Sequence, residues 1–150
     1  NRNQAITDSF SIYLGVSGQL ASKNMDSSEQ LYLGGPMSVR AYSSGQGAAS
    51  QGNLTTLELR QNLPYQTQAI AFYDIGNVQV TKFNSQNLPY NNYVLQGYGL
   101  GLNWIGPHGV SLKASWAQRS GQLSQAVSTY LSQNGGTSAN RFWITGSIQF

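Results

Sequence analysis

The chain has 150 residues, 39% of them hydrophobic and 9% charged, with a formal net charge of +3 and no Cys. That length fits one domain, the scarce charge combined with 11% aromatic residues argues against disorder, and the missing Cys excludes disulfides and thiolate metal sites. The basic residues are scattered rather than clustered with aromatics between them, so no nucleic-acid partner is expected.

No apolar run approaches the roughly 20 residues of a membrane helix, and period-two alternation recurs instead. FSIYLGVSGQL sets Phe10, Ile12, Leu14 and Val16 against Ser9, Ser11, Tyr13 and Ser17, as a strand with one apolar face does. A polar stretch from about Lys23 to Gly52 follows, in which GGPMSVRAY puts Arg40 at the tip of a Gly- and Ser-rich loop. NLTTLELRQNL then places Leu57 and Leu59 opposite Thr56, Glu58 and Arg60. Beyond a turn at Pro64, QAIAFYDIGNVQV places Ala71, Tyr73 and Ile75 opposite Phe72, Asp74 and Gly76.

Tyr98, Leu100, Leu102 and Trp104 next alternate with Gly97, Gly99, Gly101 and Asn103. Across the compact turn IGPHG, Val110, Leu112, Ala114 and Trp116 alternate with Ser111, Lys113 and Ser115. The last run, RFWITGSIQF, sets Phe142, Ile144, Gly146, Ile148 and Phe150 against Trp143, Thr145, Ser147 and Gln149. Helical periodicity is weak throughout. About six strands result, separated by spacers that alternate long and short. The predicted fold is all-β: an antiparallel up-and-down meander with tight turns at one rim and large loops at the other, the plan of a transmembrane β-barrel.

Charge placement supports that plan. No Lys, Arg, Asp or Glu falls on the apolar face of any predicted strand, whereas Glu58, Arg60, Asp74 and Lys113 lie mid-strand on the opposite face. The remaining charges, Arg2 and Arg119 among them, are expected in loops or at strand ends. An Arg or Lys facing mid-bilayer lipid costs about 2–4 kcal/mol, so a lipid-facing stripe excludes it and a wet lumen admits it. A soluble β-sandwich binding module would also keep charge off its buried face. Its solvated face, however, would carry more Lys and Glu than the Gly, Ser, Thr and Asn found here. Trp104 and Phe150 are expected near the short-turn rim, and Trp116 and Phe142 toward the long-loop rim, as interfacial aromatics.

Asp74 and Glu58 point to one side of neighbouring strands, with Arg60 beside them, and desolvated acids call for partners. The expectation is that the loop of residues 23–52 folds inward, so that the planar fork of Arg40 binds Asp74 first and Glu58 second. No enzyme chemistry is expected, and no metal or cofactor. In GYGLGL, Leu102 stands where a dinucleotide loop would need its third glycine, so small residues facing a crowded lumen explain Gly97, Gly99 and Gly101. His108, the one histidine, lies in a turn with no acid near it in sequence.

LYLGGPMSVRAY, LELRQNL, FYDIG and a terminal strand ending in Phe, in that order, resemble the C-terminal barrel half of two-partner secretion translocators of hemolysin-activator type. The superfamily of these translocators also contains the outer-membrane assembly factor. The resemblance covers nearly the whole chain. It implies a sixteen-stranded barrel in the bacterial outer membrane whose long loop enters the lumen. There the arginine of a Val-Arg-Gly-Tyr motif, here Val39, Arg40 and Tyr42, meets the acid of a Phe-x-Asp-x-Gly strand motif, here Phe72, Asp74 and Gly76. Ala41 stands where the family usually has Gly, and Ala is a strained choice if that position needs a positive φ or a very close backbone approach.

WITGSIQF, with Trp143, Gly146, Ile148 and Phe150, resembles the terminal signal read by the barrel-assembly machinery. The implied function is export of a partner exoprotein, with an assembly factor as the alternative. About six strands do not close a barrel of the family's size. The expectation is therefore a segment that meets further strands and peptide-binding POTRA domains upstream, or covers its edges by self-association, in lipid or detergent.

Overall fold

The computed structural model describes residues 1–149. Its main sheet has seven antiparallel strands in the order β1 (Arg2–Ala5), β2 (Phe10–Gln19), β5 (Gln51–Leu63), β6 (Thr67–Gln79), β7 (Asn92–Ile105), β8 (Val110–Ser120) and β9 (Asn140–Ile148). Between β2 and β5, the two-residue strands β3 (Leu31–Tyr32) and β4 (Ala48–Ala49) pair with each other and form the stem of the long loop. Three residues join β5 to β6, and a 3-10 turn at Pro107–Gly109 joins β7 to β8, so the tight connections share one rim.

Three features differ from the sequence reading. The strand β1 is additional, because four residues carry too little pattern to register. The long loop ends at Ser50, since Gln51 and Gly52 already pair with Gln79 and Val78. A helix, α1 (Gln125–Gln133), interrupts the last long loop. It is capped by the Ser124 hydroxyl, which accepts from the Val127 N–H, and it buries only Val127 and Leu131, one turn apart. Two apolar positions in nine residues are a faint helical signal.

The alternation separates a bare face from a covered one. Leu100, Leu112, Phe142 and Ile144 on the bare face are 60%, 45%, 77% and 81% exposed, whereas Phe72, Asp74, Leu95 and Ala117 on the other face are buried. On β2 and β5 to β9 no charged residue shares the bare face. The exception is Arg2: it pairs with Leu14 and so lies on the bare face of the edge strand β1, as its first residue and thus at a strand end as expected.

The apolar window on the bare face is slanted. On β2 it runs from Phe10 to Val16. Following the register across the sheet, Ile144 of β9 lies in the row of Phe10 and Phe142 in the row of Ile12. The window on β9 therefore stops four residues short of Val16 at the long-loop end and reaches Ile148, four residues past the Phe10 row, at the other. Four residues rise about 13 Å while five strand spacings cover about 24 Å, an inclination of about 30°. Strands of outer-membrane barrels tilt by about 35–45°. A band of lipid-facing residues level with the membrane has to climb across tilted strands in this way.

Aromatics edge the window. Tyr73, Tyr98, Trp116 and Phe142 on β6 to β9 mark its long-loop side, and the hydroxyls of Tyr73 and Tyr98 reach up to Gln96 and Gln118. Trp104 sits at the short-turn side. Phe150, expected there too, lies outside the described residues.

Candidate functional site: the loop seated on the covered face

Residues 20–50 fold back over the covered face as an extended hairpin. Its stem bonds, Leu33 N–H to Gly47 O and Gly34 N–H to Gln46 O, carry the tip to the middle of the sheet. Val39, Ala41 and Tyr42 at the tip are fully buried, against Phe72, Leu95 and Ala117 of the sheet and Leu131 of α1. Two glycines make the fit possible. A side-chain carbon at Gly76 would meet Val39 Cγ2 at 2.9 Å, and one at Gly97 would overlap the Ala41 methyl. Ala41 does not have a positive φ, so that source of strain does not arise, and the close approach is taken up by Gly97; among the described residues the non-glycine residues with positive φ are Tyr65, Gln66, Asn87 and His108.

Arg40 grips two acids. Its Nε and Nη2 donate to Asp74 Oδ2 and Oδ1, each at 2.9 Å, in a two-point fork, and its backbone N–H adds a third bond to Oδ2 at 3.1 Å. The Thr56 hydroxyl donates to Oδ1 at 3.0 Å, so the fully buried Asp74 carboxylate accepts four hydrogen bonds. Nη1 of Arg40 lies 2.8 Å from Glu58 Oε1, and Arg60 holds the other Glu58 oxygen at 2.7 Å. Two guanidinium groups thus meet two carboxylates, and the cluster is neutral. Phe72 and Tyr13 lie flat beneath Arg40 and Arg60, with ring centroids 3.4 Å and 4.2 Å from the guanidinium carbons. Burial opposes the Arg40 charge, but the hydrogen bonds and field of Asp74, and then of Glu58, outweigh it and raise its pKa above the ordinary arginine value.

Register explains why these residues meet. Glu58 pairs with Phe72 and Thr56 with Asp74, so both acids fall on one face of adjacent strands two residues apart. That much follows from strand parity. Three further contacts were not foreseen, because they cross long stretches of sequence. Trp143, expected as part of a terminal signal, faces inward and its Nε1–H donates to the Arg40 carbonyl at 2.7 Å. Gly146 and Ile148 of the same stretch lie on the bare face, opposite Leu112 and Val110.

Arg119, near the end of β8, stacks on the Tyr42 ring at 4.4 Å and donates to Ala41 O at 3.3 Å and Gln46 Oε1 at 2.9 Å. Gln46 is fully buried. Its Nε2 donates to Leu131 O at 2.7 Å and Gly136 O at 3.1 Å, tying the seated loop to the α1 loop above it. A buried Gln in a loop leaves no pattern by which sequence reasoning could find it.

Residues 1–130 match the Omp85 superfamily domain. The chain is 31% identical over 125 residues to the heme/hemopexin transporter protein HuxB of Haemophilus influenzae strain 86-028NP, covering 79% of this chain and 22% of that protein. A second Haemophilus influenzae protein of the same name is 34% identical over 110 residues, 69% of this chain and 19% of the relative. The chain thus spans about a fifth of the length of these relatives. No solved structure matches it. With the slanted apolar window, the meander and these matches together, the chain belongs to the Omp85 superfamily, among the Gram-negative outer-membrane β-barrel proteins of the two-partner secretion, hemolysin-activator type.

Proposed function

We propose that the full-length protein passes an extended partner exoprotein outward across the outer membrane, without covalent chemistry, and that the loop of residues 20–50 obstructs or shapes the pore. The observation that carries this reading is the fork of Arg40 on Asp74: a neutral, buried clamp fixes a loop across the very face that a translocating chain would use. Val39 and Tyr42 pack the loop tip, Phe72 and Gly76 form its seat, and Glu58 is the second anchor. The remaining barrel strands, the POTRA domains and the barrel-assembly machinery, reading Trp143, Gly146, Ile148 and Phe150, are the further partners of this reading.

The relatives are named as transporters, which favours export over an assembly factor. The test uses the full-length protein carrying Asp74→Ala or Arg40→Ala, measuring exoprotein in the medium and heat-modifiable barrel in the membrane. Secretion should fall while the barrel remains. Normal secretion by both variants would refute the role of the clamp, and a general loss of other barrel proteins would favour the assembly factor.

A further inference from the structure

The apolar window ends, on the bare face, at a groove of about 810 Å³ across the long-loop ends of β2, β5, β6 and β7. Its lower edge is apolar at Val16, 60% exposed; Val94, 39% exposed, pairs with Asn77 and ends the floor row on β7, and Leu20, at 90%, overhangs the other end. Its floor consists of amides. Asn53 and Asn77 are register partners joined by a 2.8 Å hydrogen bond, Gln51 and Gln79 form the next pair up and are likewise bonded, and Gly18 opposite Asn53 leaves that end open. Beside the floor, Lys82 donates to Gln51 Oε1 at 3.1 Å; among the described residues it has no carboxylate partner. Among the described residues no Asp or Glu lines the groove.

Primary amides facing hydrocarbon would each cost several kcal/mol, roughly, for every unsatisfied group, so both amide rows lie above the hydrocarbon boundary. They lie on the side of the long loops, which in such barrels is the outer leaflet. What touches this face at that height is a lipid headgroup whose chains continue down the apolar rows. Amides both donate and accept, which suits a hydroxyl-rich sugar, and a lysine ammonium with donors to spare suits phosphate.

We propose that this groove binds a phosphorylated glycolipid of the outer leaflet. Its sugar rests on Asn53 and Asn77, its phosphate on Lys82, and its acyl chains run down past Val16. The site stands apart from the loop seat and does not depend on the export reading.

The test takes the full-length protein, purified in mild detergent and stripped of lipid. Native mass spectrometry follows titration with the purified outer-membrane glycolipid, its dephosphorylated form, phosphatidylethanolamine or inorganic phosphate. One glycolipid adduct should persist, weakened roughly ten-fold by removal of its phosphate, by Lys82→Gln, or by Asn53→Ala with Asn77→Ala, and restored by Lys82→Arg. Lys82→Gln removes only a charge, so it keeps the test decisive if the double variant fails to insert. Equal retention by wild type and Lys82→Gln, or phosphatidylethanolamine or inorganic phosphate binding as tightly as the glycolipid, would overturn the assignment.

Discussion

The methyl group of Ala41 lies over the bare Cα of Gly97, in the space where a side chain on β7 would otherwise stand. Loop and sheet are therefore matched in volume at this point, as are Val39 and Gly76 one row away. Gly97→Ala should force the loop tip outward at a cost of about 1–3 kcal/mol, the range for overpacking. Ala41→Gly in the same chain removes the larger of the two overlaps and should recover most of that loss. The remaining neighbour, Gln118 O at 3.1 Å, keeps recovery incomplete. Limited proteolysis of residues 20–50 in the membrane-embedded protein reads both effects.

Arg40→Lys tests geometry apart from charge. A lysine supplies one compact ammonium, which cannot reproduce the two-point fork on Asp74, the Glu58 contact and the stacking on Phe72 together. Removing one partner of a buried pair outright costs about 3–5 kcal/mol. The lysine variant should lose a substantial part of that, with the loop cut by protease much faster than in wild type and the barrel still heat-modifiable. Unchanged cleavage would show that charge alone seats the loop.

The Tyr42 hydroxyl is buried with no hydrogen-bond partner among the described residues, while its ring carries Arg119. Burial also pushes that hydroxyl's pKa up, which keeps it neutral. Tyr42→Phe should therefore be neutral or slightly stabilising, whereas Tyr42→Ala, which removes the ring, should cost about 3–5 kcal/mol. Arg119→Ala removes the donor shared by Ala41 O, Gln46 Oε1 and Gly136 O while leaving the Gln46 amide on Leu131 O and Gly136 O. It should therefore loosen the tip and the α1 loop together, raising hydrogen exchange in residues 121–139 as well as in 35–47. A rise confined to one of these loops would contradict the link.

The periods of the sequence were enough to find every long strand, the two faces and the parity that brings Glu58 and Asp74 together. They worked because, through the middle of each strand, one face is mostly apolar and free of charge while the other carries the charges, so a two-residue repeat survives in each run. The contacts of Trp143, Arg119 and Gln46 were hidden for the opposite reason. Each joins residues 73 or more apart in the chain, or lies in a loop, and parity says nothing about which loop residue descends to which strand. The helix α1 failed to register because its buried stripe is two residues long. Arg2 shows the limit of the charge rule, which holds within the sheet and not at its edge strand.

Leu100→Arg and Gln68→Arg place the same charge on opposite faces. Leu100 lies mid-window on β7, so its substitution should cost about 2–4 kcal/mol of barrel stability. Gln68 pairs with Asn103, on the face that also carries Lys113, and its substitution should stay within about 0.5 kcal/mol. Urea unfolding of the full-length barrel in lipid vesicles measures both. Equal costs would remove the distinction between a lipid face and a wet one.

The seating of the loop is tested most directly by cysteines at positions 39 and 76, in a segment that has none of its own. The Val39 side chain lies against the Cα of Gly76, where the spacing suits a disulfide. In intact outer membranes of cells making the full-length Val39→Cys, Gly76→Cys protein, mild oxidation should join the pair and stop secretion until a reductant is added. Thiols that stay free under oxidation would contradict the seated loop, and secretion undiminished by the crosslink would contradict its role in the pore.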